Sequence, residues 1–234
     1  MFKNYIKIAW RKMKKNKLYA FVNITGLTAG ITGCLLIGVY IEHELSFDRF
    51  NKNADKIVRV TMDYNFGDAS RQVSLTGTRI GPQFKRTFPA VQAFARTYKR
   101  PRVVTYSNNT FEEKNFLYAD SSFFRMFSFP LLEGNVSRAL IESNKIVITQ
   151  HTAKKYFGSE ASVGKIIKVG DADFEITGIT ADVPSNSQIQ FDFVASFSSL
   201  VFAREEKWME ANYVTYLLLE NNKQIGPLQK NIDQ

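Results

Sequence analysis

The sequence predicts an α+β protein: one N-terminal transmembrane helix followed by a mixed α/β extracytoplasmic domain. Three observations carry this. Residues 1–17 are basic with no acidic side chain, residues 18–41 contain no ionisable Asp, Glu, Lys, Arg or His, and residues 42–234 interleave strand-like and helix-like patterns. The 234 residues are 44% hydrophobic and 14% aromatic with only six prolines and 13 glycines, a composition that excludes wholesale disorder and collagen-like repeats.

The net charge of +9 is unevenly spread. Lys3, Lys7, Arg11, Lys12, Lys14, Lys15 and Lys17 supply seven of the nine charges, and the remaining chain is close to balance with 24 basic and 22 acidic residues. Phe2, Tyr5, Ile6, Ala9, Trp10 and Met13 recur at helical spacing, while Lys3, Lys7, Arg11 and Lys14 share another face. Residues 1–17 therefore read as a basic amphipathic cytoplasmic segment on the anionic headgroups of the membrane; a merely soluble basic tail is the alternative. The balanced outer segment, without a basic aromatic platform, argues against nucleic acid.

Residues 18–41 would form a helix of about 36 Å, enough for a hydrocarbon core of about 30 Å. The positive-inside rule puts the N-terminus in the cytoplasm and residues 42–234 outside it. Gly26, Gly30 and Gly33 fall on one face, the small-residue spacing that lets membrane helices approach closely, so they are candidate helix-packing positions against further spans of a permease or a second copy. Two rival readings exist. A cleavable signal peptide needs a shorter apolar region and a small-residue cleavage site. Lipoprotein processing at Ile31-Thr32-Gly33-Cys34 would leave seven apolar residues beyond the only cysteine, Cys34.

The outer segment has no cysteine, so its core must fold without disulfides, and a bacterial envelope is the expected setting. Lys56–Asp63 reads as a strand leaving the membrane. Gly81-Pro82 opens a helix to Phe88, where Pro89 stops it. Strands follow around Phe94–Tyr98 and Val103–Tyr106, then an Asn108-Asn109 turn and a returning strand to Tyr118. Ser121 or Ser122 can cap a short aromatic helix through Phe127, with Pro130 and Gly134 marking its exit. Ile146–Thr149 is an apolar strand; Thr149 can cap a helix to Phe157, and Gly158 sits where a left-handed residue is wanted. Lys165–Val169 and Phe174–Thr180 flank Gly170-Asp171 as a hairpin. Phe191–Ser196 and Tyr213–Leu219 are two more strands. From Pro227 a helix places Ile225, Leu228 and Ile232 on one face and runs to the last residue without a cap, as an element cut in mid-course would.

Chemistry-bearing motifs are sparse. In Gly158–Lys165 five residues separate the first glycine from Gly-Lys, and Ile166 follows where a P-loop needs Ser or Thr. His43 and His151 are far apart and lack cysteine partners, and Asp171-Ala172-Asp173 lacks the rest of a calcium loop. No G-x-S-x-G is present, and Glu112-Glu113 reads as an exposed strand-edge pair. No catalytic residue, metal ligand or cofactor site is expected, and the chain is not expected to be an enzyme.

Several blocks carry a family resemblance. IAWRKMKKNKLYAFVNITGLTAGI and YIEHELSFDRFNKNADKIVRV resemble the first membrane helix and periplasmic entry of MacB-like and FtsX-like ABC transporter permeases. ADSSFFRMFSFPLLEGN, NKIVITQHTAKKYFGSEASVGKIIKV and FEITGITADVPSNSQIQFDFVAS resemble the family's periplasmic core domain, in order and spacing. The resemblance implies a permease segment in the bacterial inner membrane, coupling a separate cytoplasmic ABC ATPase to movement of a periplasmic domain. It further implies that Phe2–Lys17 lies near the bilayer and the ATPase, that Asp48–Val60 is a stalk, and that Ser122–Val194 meets a periplasmic partner or substrate. In such permeases three further helices follow, whereas this sequence ends before a second. The alternative is a single-span anchored periplasmic binding protein, or a lipoprotein through Cys34.

Overall fold

The computed structural model describes residues 2–66 and 69–232, and it divides into two units, Met1–Phe47 and Asp48–Gln234.

The first unit is two helices, α1 (Phe2–Lys15) and α2 (Lys17–Leu45). Asn16, with φ −115° and ψ 64°, interrupts them; Asn readily leaves helical geometry because its amide competes for backbone partners. Helical hydrogen bonds nevertheless continue across the elbow, from Asn16 N to Lys12 O and from Ala20 N to Asn16 O, both 3.0 Å. Helix α2 is long and apolar enough to cross a membrane, and none of its residues is buried within the protein. The Thr25 hydroxyl donates to the Phe21 carbonyl at 2.8 Å, so this polar atom is satisfied inside an apolar helix.

The second unit is built on one large mixed sheet. Its elements in chain order are β1 (Ile57–Arg59), β2 (Met62–Phe66), β3 (Ala69–Val73), α3 (Ile80–Thr87), β4 (Val91–Lys99), β5 (Arg102–Tyr106), β6 (Asn109–Glu113) and β7 (Phe116–Ala119). There follow α4 (Phe123–Met126), β8 (Leu131–Gly134), β9 (Lys145–Thr149), α5 (Gln150–Phe157), β10 (Ile166–Val169), β11 (Ala172–Thr180), β12 (Phe193–Ser196), β13 (Val214–Leu219) and α6 (Ile225–Ile232). The strand order is β1-β13-β4-β7-β12-β9-β11-β10-β5-β6, with β8 on β11 and β2–β3 a separate hairpin. Pairs β7/β12 and β9/β11 are parallel and the remaining pairs antiparallel. This is the α+β class the sequence predicts.

The central strands are buried on both faces, and their alternation sorts side chains between two cores. Ile146 and Ile148 of β9, Phe193 and Ala195 of β12, and Phe116 and Tyr118 of β7 enter one cluster with Tyr156, Phe157 and Tyr213. Their neighbours Val147, Val194, Leu117 and Ala119 enter the other, beneath Phe123, Phe124, Met126, Phe127 and Phe129. A third cluster joins Ile80, Phe84, Val91, Leu217, Leu219 and Leu228 near the β1 edge. Double-sided burial explains why the strands around Ile146–Thr149 and Phe193–Ser196 read as continuous apolar runs.

Several expectations need correction. The strand expected over Lys56–Asp63 is two: β1 pairs with β13, while β2 leaves the large sheet for the β3 hairpin. The returning strand to Tyr118 is also two, because β6 stays on β5 at the sheet edge while β7 inserts between β4 and β12, where both faces are covered. In the turn between β5 and β6 the positive-φ residue is Ser107, at 53°. Ser122 precedes α4 without capping it; its hydroxyl donates instead to the Phe94 carbonyl, tying α4 to β4. The segment from Pro130 to Gly134 is strand β8, not a plain exit. Thr149 does cap α5, accepting from Thr152 N at 3.2 Å, and Gly158 follows with φ 64° but ψ −115°, outside the left-handed helical well.

Candidate functional site

The chain enters the second unit at Asp48, and three segments distant in sequence converge there. Asp48 has φ 56°, a conformation Asp tolerates better than most residues because its short side chain bonds locally. Its amide donates to the Asn186 carbonyl at 2.9 Å, while its carboxylate accepts from the Ser187 hydroxyl at 3.2 Å and from Gln188 N at 3.1 Å. Three residues on, Asn51 is buried at 7% exposure, and its side-chain oxygen accepts from Ser128 N at 2.9 Å. Lys52 N donates to the Ser128 hydroxyl, and the Asn53 side chain donates to the Met126 carbonyl, each at 2.9 Å. After a short 3-10 turn, β1 joins the sheet edge against β13.

This clamp rests on an aromatic floor. Phe50 stacks obliquely on Phe129 with centroids 5.4 Å apart, Phe129 meets Phe191 at 4.9 Å, and the fully buried Phe123 contacts both Phe129 and Phe191. Edge-on and offset aromatic contacts contribute beyond the area they bury, so the floor adds packing energy beneath the entry. Its residues belong to the FDRF, SSFFRMFSF and SNSQIQF stretches of three separate blocks.

A second feature is a cleft of about 410 Å³ lined by Arg96, Asp120, Phe197, Leu200, Arg204 and Glu206, among others. At its wall Arg96 makes a forked pair with Asp120, Nε to Oδ2 at 2.9 Å and Nη2 to Oδ1 at 2.8 Å, and its Nη1 donates to the Thr78 carbonyl at 2.9 Å. The guanidinium lies 4.2 Å from the Phe197 ring centroid. With its donors so committed, Arg96 is a structural strut rather than a free anion hook. At the rim Arg86 forks onto Glu206 at 2.6 and 3.0 Å, and those hydrogen bonds hold the Glu206 carboxyl below the usual carboxylate range.

Beside the cleft, the segment from 200 to 212 projects Val201, Phe202 and Met209 at 68%, 53% and 75% exposure. Its base is fixed. Thr78 donates its hydroxyl to the Glu205 carbonyl and accepts from Lys207 N, and a Cβ on Gly77 would overlap the Lys207 and Trp208 carbonyls. Rigid backing with an exposed apolar tip is the form of a protein-contact surface.

At the opposite sheet edge Glu113, read from sequence as exposed, is buried at 6%. Its Oε1 accepts from Lys155 Nζ at 2.8 Å and from the Tyr156 hydroxyl at 2.5 Å. Burial, with the Glu113 carboxylate second, pushes the Tyr156 phenol well above its ordinary value. Glu112 is exposed, as expected.

In the first unit, Lys3, Lys7, Arg11 and Lys14 are exposed along α1. Gly26, Gly30 and Gly33 lie on α2 with no other part of the protein within 4 Å of where a Cβ would stand. Cys34 is inside α2, eleven residues before its end at Leu45. His151 begins α5 exposed, its amide donating to Asp182 at 2.8 Å. Among the described residues no group of three or more His, Cys, Asp or Glu gathers into a metal cluster. Sequence reasoning missed the Asp48 clamp: its partners are about 75 and 140 positions away, and the only signal was that each lies in a family-like block.

A family model for the MacB-like periplasmic core domain matches residues 20–234. Among solved structures the chain is similar to a permease-protein domain from Porphyromonas gingivalis, with TM-score 0.64 and 23% identity over 77% of this chain and 83% of that one. It is also similar to the periplasmic region of MacB from Actinobacillus actinomycetemcomitans, with TM-score 0.56 and 14% identity over 76% and 80%. A third neighbour is the extracellular domain of the noncanonic ABC-type transporter YknZ from Gram-positive bacteria, with TM-score 0.51 and 15% identity over 65% and 78%. No curated protein sequence matches.

Proposed function

The chain belongs to the MacB-like periplasmic core domain family of ABC transporter permeases, and from that premise we propose that it is a mechanical permease segment with no catalytic residue or cofactor of its own. In this reading residues 1–17 are the cytoplasmic basic segment, residues 18–41 the span and residues 42–234 the periplasmic domain. The setting is a bacterial inner membrane, and the N-terminus is cytoplasmic because positive charge is retained on that side. A separate cytoplasmic ABC ATPase supplies the energy. Gly26, Gly30 and Gly33 pack against further helices of the permease or a second copy, and Lys3, Lys7, Arg11 and Lys14 meet anionic lipid headgroups.

The observation that carries this reading is the Asp48 clamp. The chain passes from the span to the outer unit through Ser46 and Phe47, and the next residues are bonded to two separate loops and then to a sheet edge. Such an attachment passes motion into the sheet instead of dissipating it in a slack linker. The expected stalk at Asp48–Val60 is thus better described as a bolted joint.

The test uses the chain purified from its own membranes in mild detergent and reconstituted in vesicles. Alone it should hydrolyse ATP no faster than empty vesicles, and an ABC-type ATPase should co-purify with it. Replacing Asp48 and Asn51 by Ala should leave that ATPase bound but abolish its response to the periplasmic domain. ATP turnover by the isolated chain, or no ATPase in the purified complex, would overturn the proposal.

A second reading, an anchored periplasmic binding protein, is favoured by the exposed tip at Val201, Phe202 and Met209 beside the cleft. Under either reading a periplasmic partner would contact that tip. Retained partner capture by a chain that never associates with an ATPase would select the second.

A further inference from the structure

The elbow between α1 and α2 encloses a cleft of about 340 Å³ within the first unit. Its apolar walls are Trp10 and Met13 from α1 and Ala20, Phe21 and Ile24 from α2, and Lys14 and Lys17 complete the lining. The volume falls within the roughly 300–1,000 Å³ of small-ligand pockets. Lys14 and Lys17 stand at the elbow, with Trp10 and Met13 before them on α1 and Ala20, Phe21 and Ile24 after them on α2. Lys17 is the first residue of α2, and Ile24 lies seven residues further, about 10 Å along its axis.

We infer that this cleft is a binding site for one anionic phospholipid, with its phosphate between Lys14 and Lys17 beside Trp10 and the upper part of an acyl chain against Phe21 and Ile24. Two observations favour a lipid over another helix. Along α2 the lining changes from the Lys17 ammonium to apolar Phe21 and Ile24 over about 10 Å, the same polarity gradient a phospholipid presents from headgroup to chain. Residues 2–17 also contain seven cations and no acidic side chain, so the surroundings complement a phosphate and would repel a basic partner. Trp10 supplies the amphipathic ring that favours this depth. The inference rests on the spanning orientation of α2 proposed above, and it deepens the role given to the basic segment from general surface attraction to a defined site.

The experiment uses the full chain carrying Trp208→Phe, which leaves Trp10 as the reporter, in vesicles of phosphatidylcholine. Phosphatidylglycerol or phosphatidylcholine brominated on an acyl chain is then added at matched fractions. The expected result is Trp10 quenching at a roughly fivefold lower fraction of the brominated phosphatidylglycerol, the size of one lysine–lipid interaction. Lys14→Gln with Lys17→Gln should remove that preference. Lys3→Gln with Lys7→Gln deletes the same charge away from the cleft and should retain it. Equal quenching by the two lipids, absence of quenching by either, or equal loss in the two lysine pairs would overturn the site. Protease protection of the outer domain in the same vesicles reads whether α2 spans, so a failure of the orientation is seen separately from a failure of the lipid site.

Discussion

At one edge of the large sheet, β1 is held by neutral hydrogen bonds from Asn51, Lys52 and Asn53, by the Asp48 carboxylate, and by an aromatic floor. At the other edge, β6 is tied to α5 by a buried carboxylate shared between a lysine and a tyrosine, and by Phe111 packed edge-on against that same tyrosine. The first fastening spreads its load over many short contacts from three loops. The second places its charged contacts on one atom, Glu113 Oε1. Under the proposed mechanical role, a joint that transmits motion without opening benefits from the first arrangement, since no single contact decides its survival. An edge fixed by one buried charge is either closed or broken, because an unpaired buried carboxylate is costly.

The largest effect should come from removing what the entry joint rests on. Phe123 is fully buried and touches Phe124, Phe127, Phe129 and Phe191. Phe123→Ala should destabilise the outer unit by about 3–5 kcal/mol. Denaturant unfolding of the detergent-solubilised chain measures it, and a loss below about 1 kcal/mol would mean the floor is not structural.

Next comes the opposite edge. Glu113→Ala strands the Tyr156 hydroxyl and a Lys155 ammonium that is 36% exposed. Because the lysine can reach water, the cost should fall below that of a fully buried pair, at about 2–3 kcal/mol. Hydrogen exchange should localise the loosening to β5, β6 and α5 and leave β1 protected. Equal loosening at both edges would show that the two fastenings are not independent.

Asp48→Ala is expected to cost about 1–2 kcal/mol, combining lost hydrogen bonds with the strain of a positive φ. Asp48→Gly relieves the backbone and keeps only the hydrogen-bond loss, so the difference between the two separates the terms. If the entry is distributed as argued, neither variant unfolds the outer unit, and under the proposed permease reading both weaken the response of a bound ATPase.

How much of this was legible in the sequence differs by region for physical reasons. The span was visible because lipid forbids charge, and 24 residues without one leave little choice. The β10–β11 hairpin was visible because its turn is local, with Gly170 at φ 59° joining two β-branched runs. The break between β6 and β7 was not visible, since it depends on which neighbours each half finds across the sheet. Ser122 was misread as a cap because its hydroxyl is claimed by a carbonyl 28 residues away. Glu113 could have been found: adjacent residues of a strand face opposite sides, so Glu112 and Glu113 cannot both point to solvent when one face is covered. The Asp48 clamp is invisible to periodicity, because its partners are set by tertiary closure alone.

The smallest prediction concerns pH and sharpens the contrast between the edges. Burial and the Glu113 carboxylate raise the Tyr156 phenol above its ordinary value, so the folded state holds this proton more tightly than the unfolded chain. A group of raised pKa contributes its full stability below the unfolded value, near pH 10, and loses it as pH climbs beyond that point. The β6 edge should therefore loosen on the alkaline side, through competition of a phenolate with Glu113. Tyr156→Phe should cost about 1 kcal/mol at neutral pH and flatten the alkaline decline in hydrogen-exchange protection of α5. Beside β1 the Tyr216 phenol is also raised, by burial, but among the described residues no hydrogen bond joins it to a carboxylate, so protection of β1 between pH 9 and 11 should change less than that of β6. A steeper alkaline loss at β1 than at β6 would reverse the assignment of which edge depends on a single titrating contact.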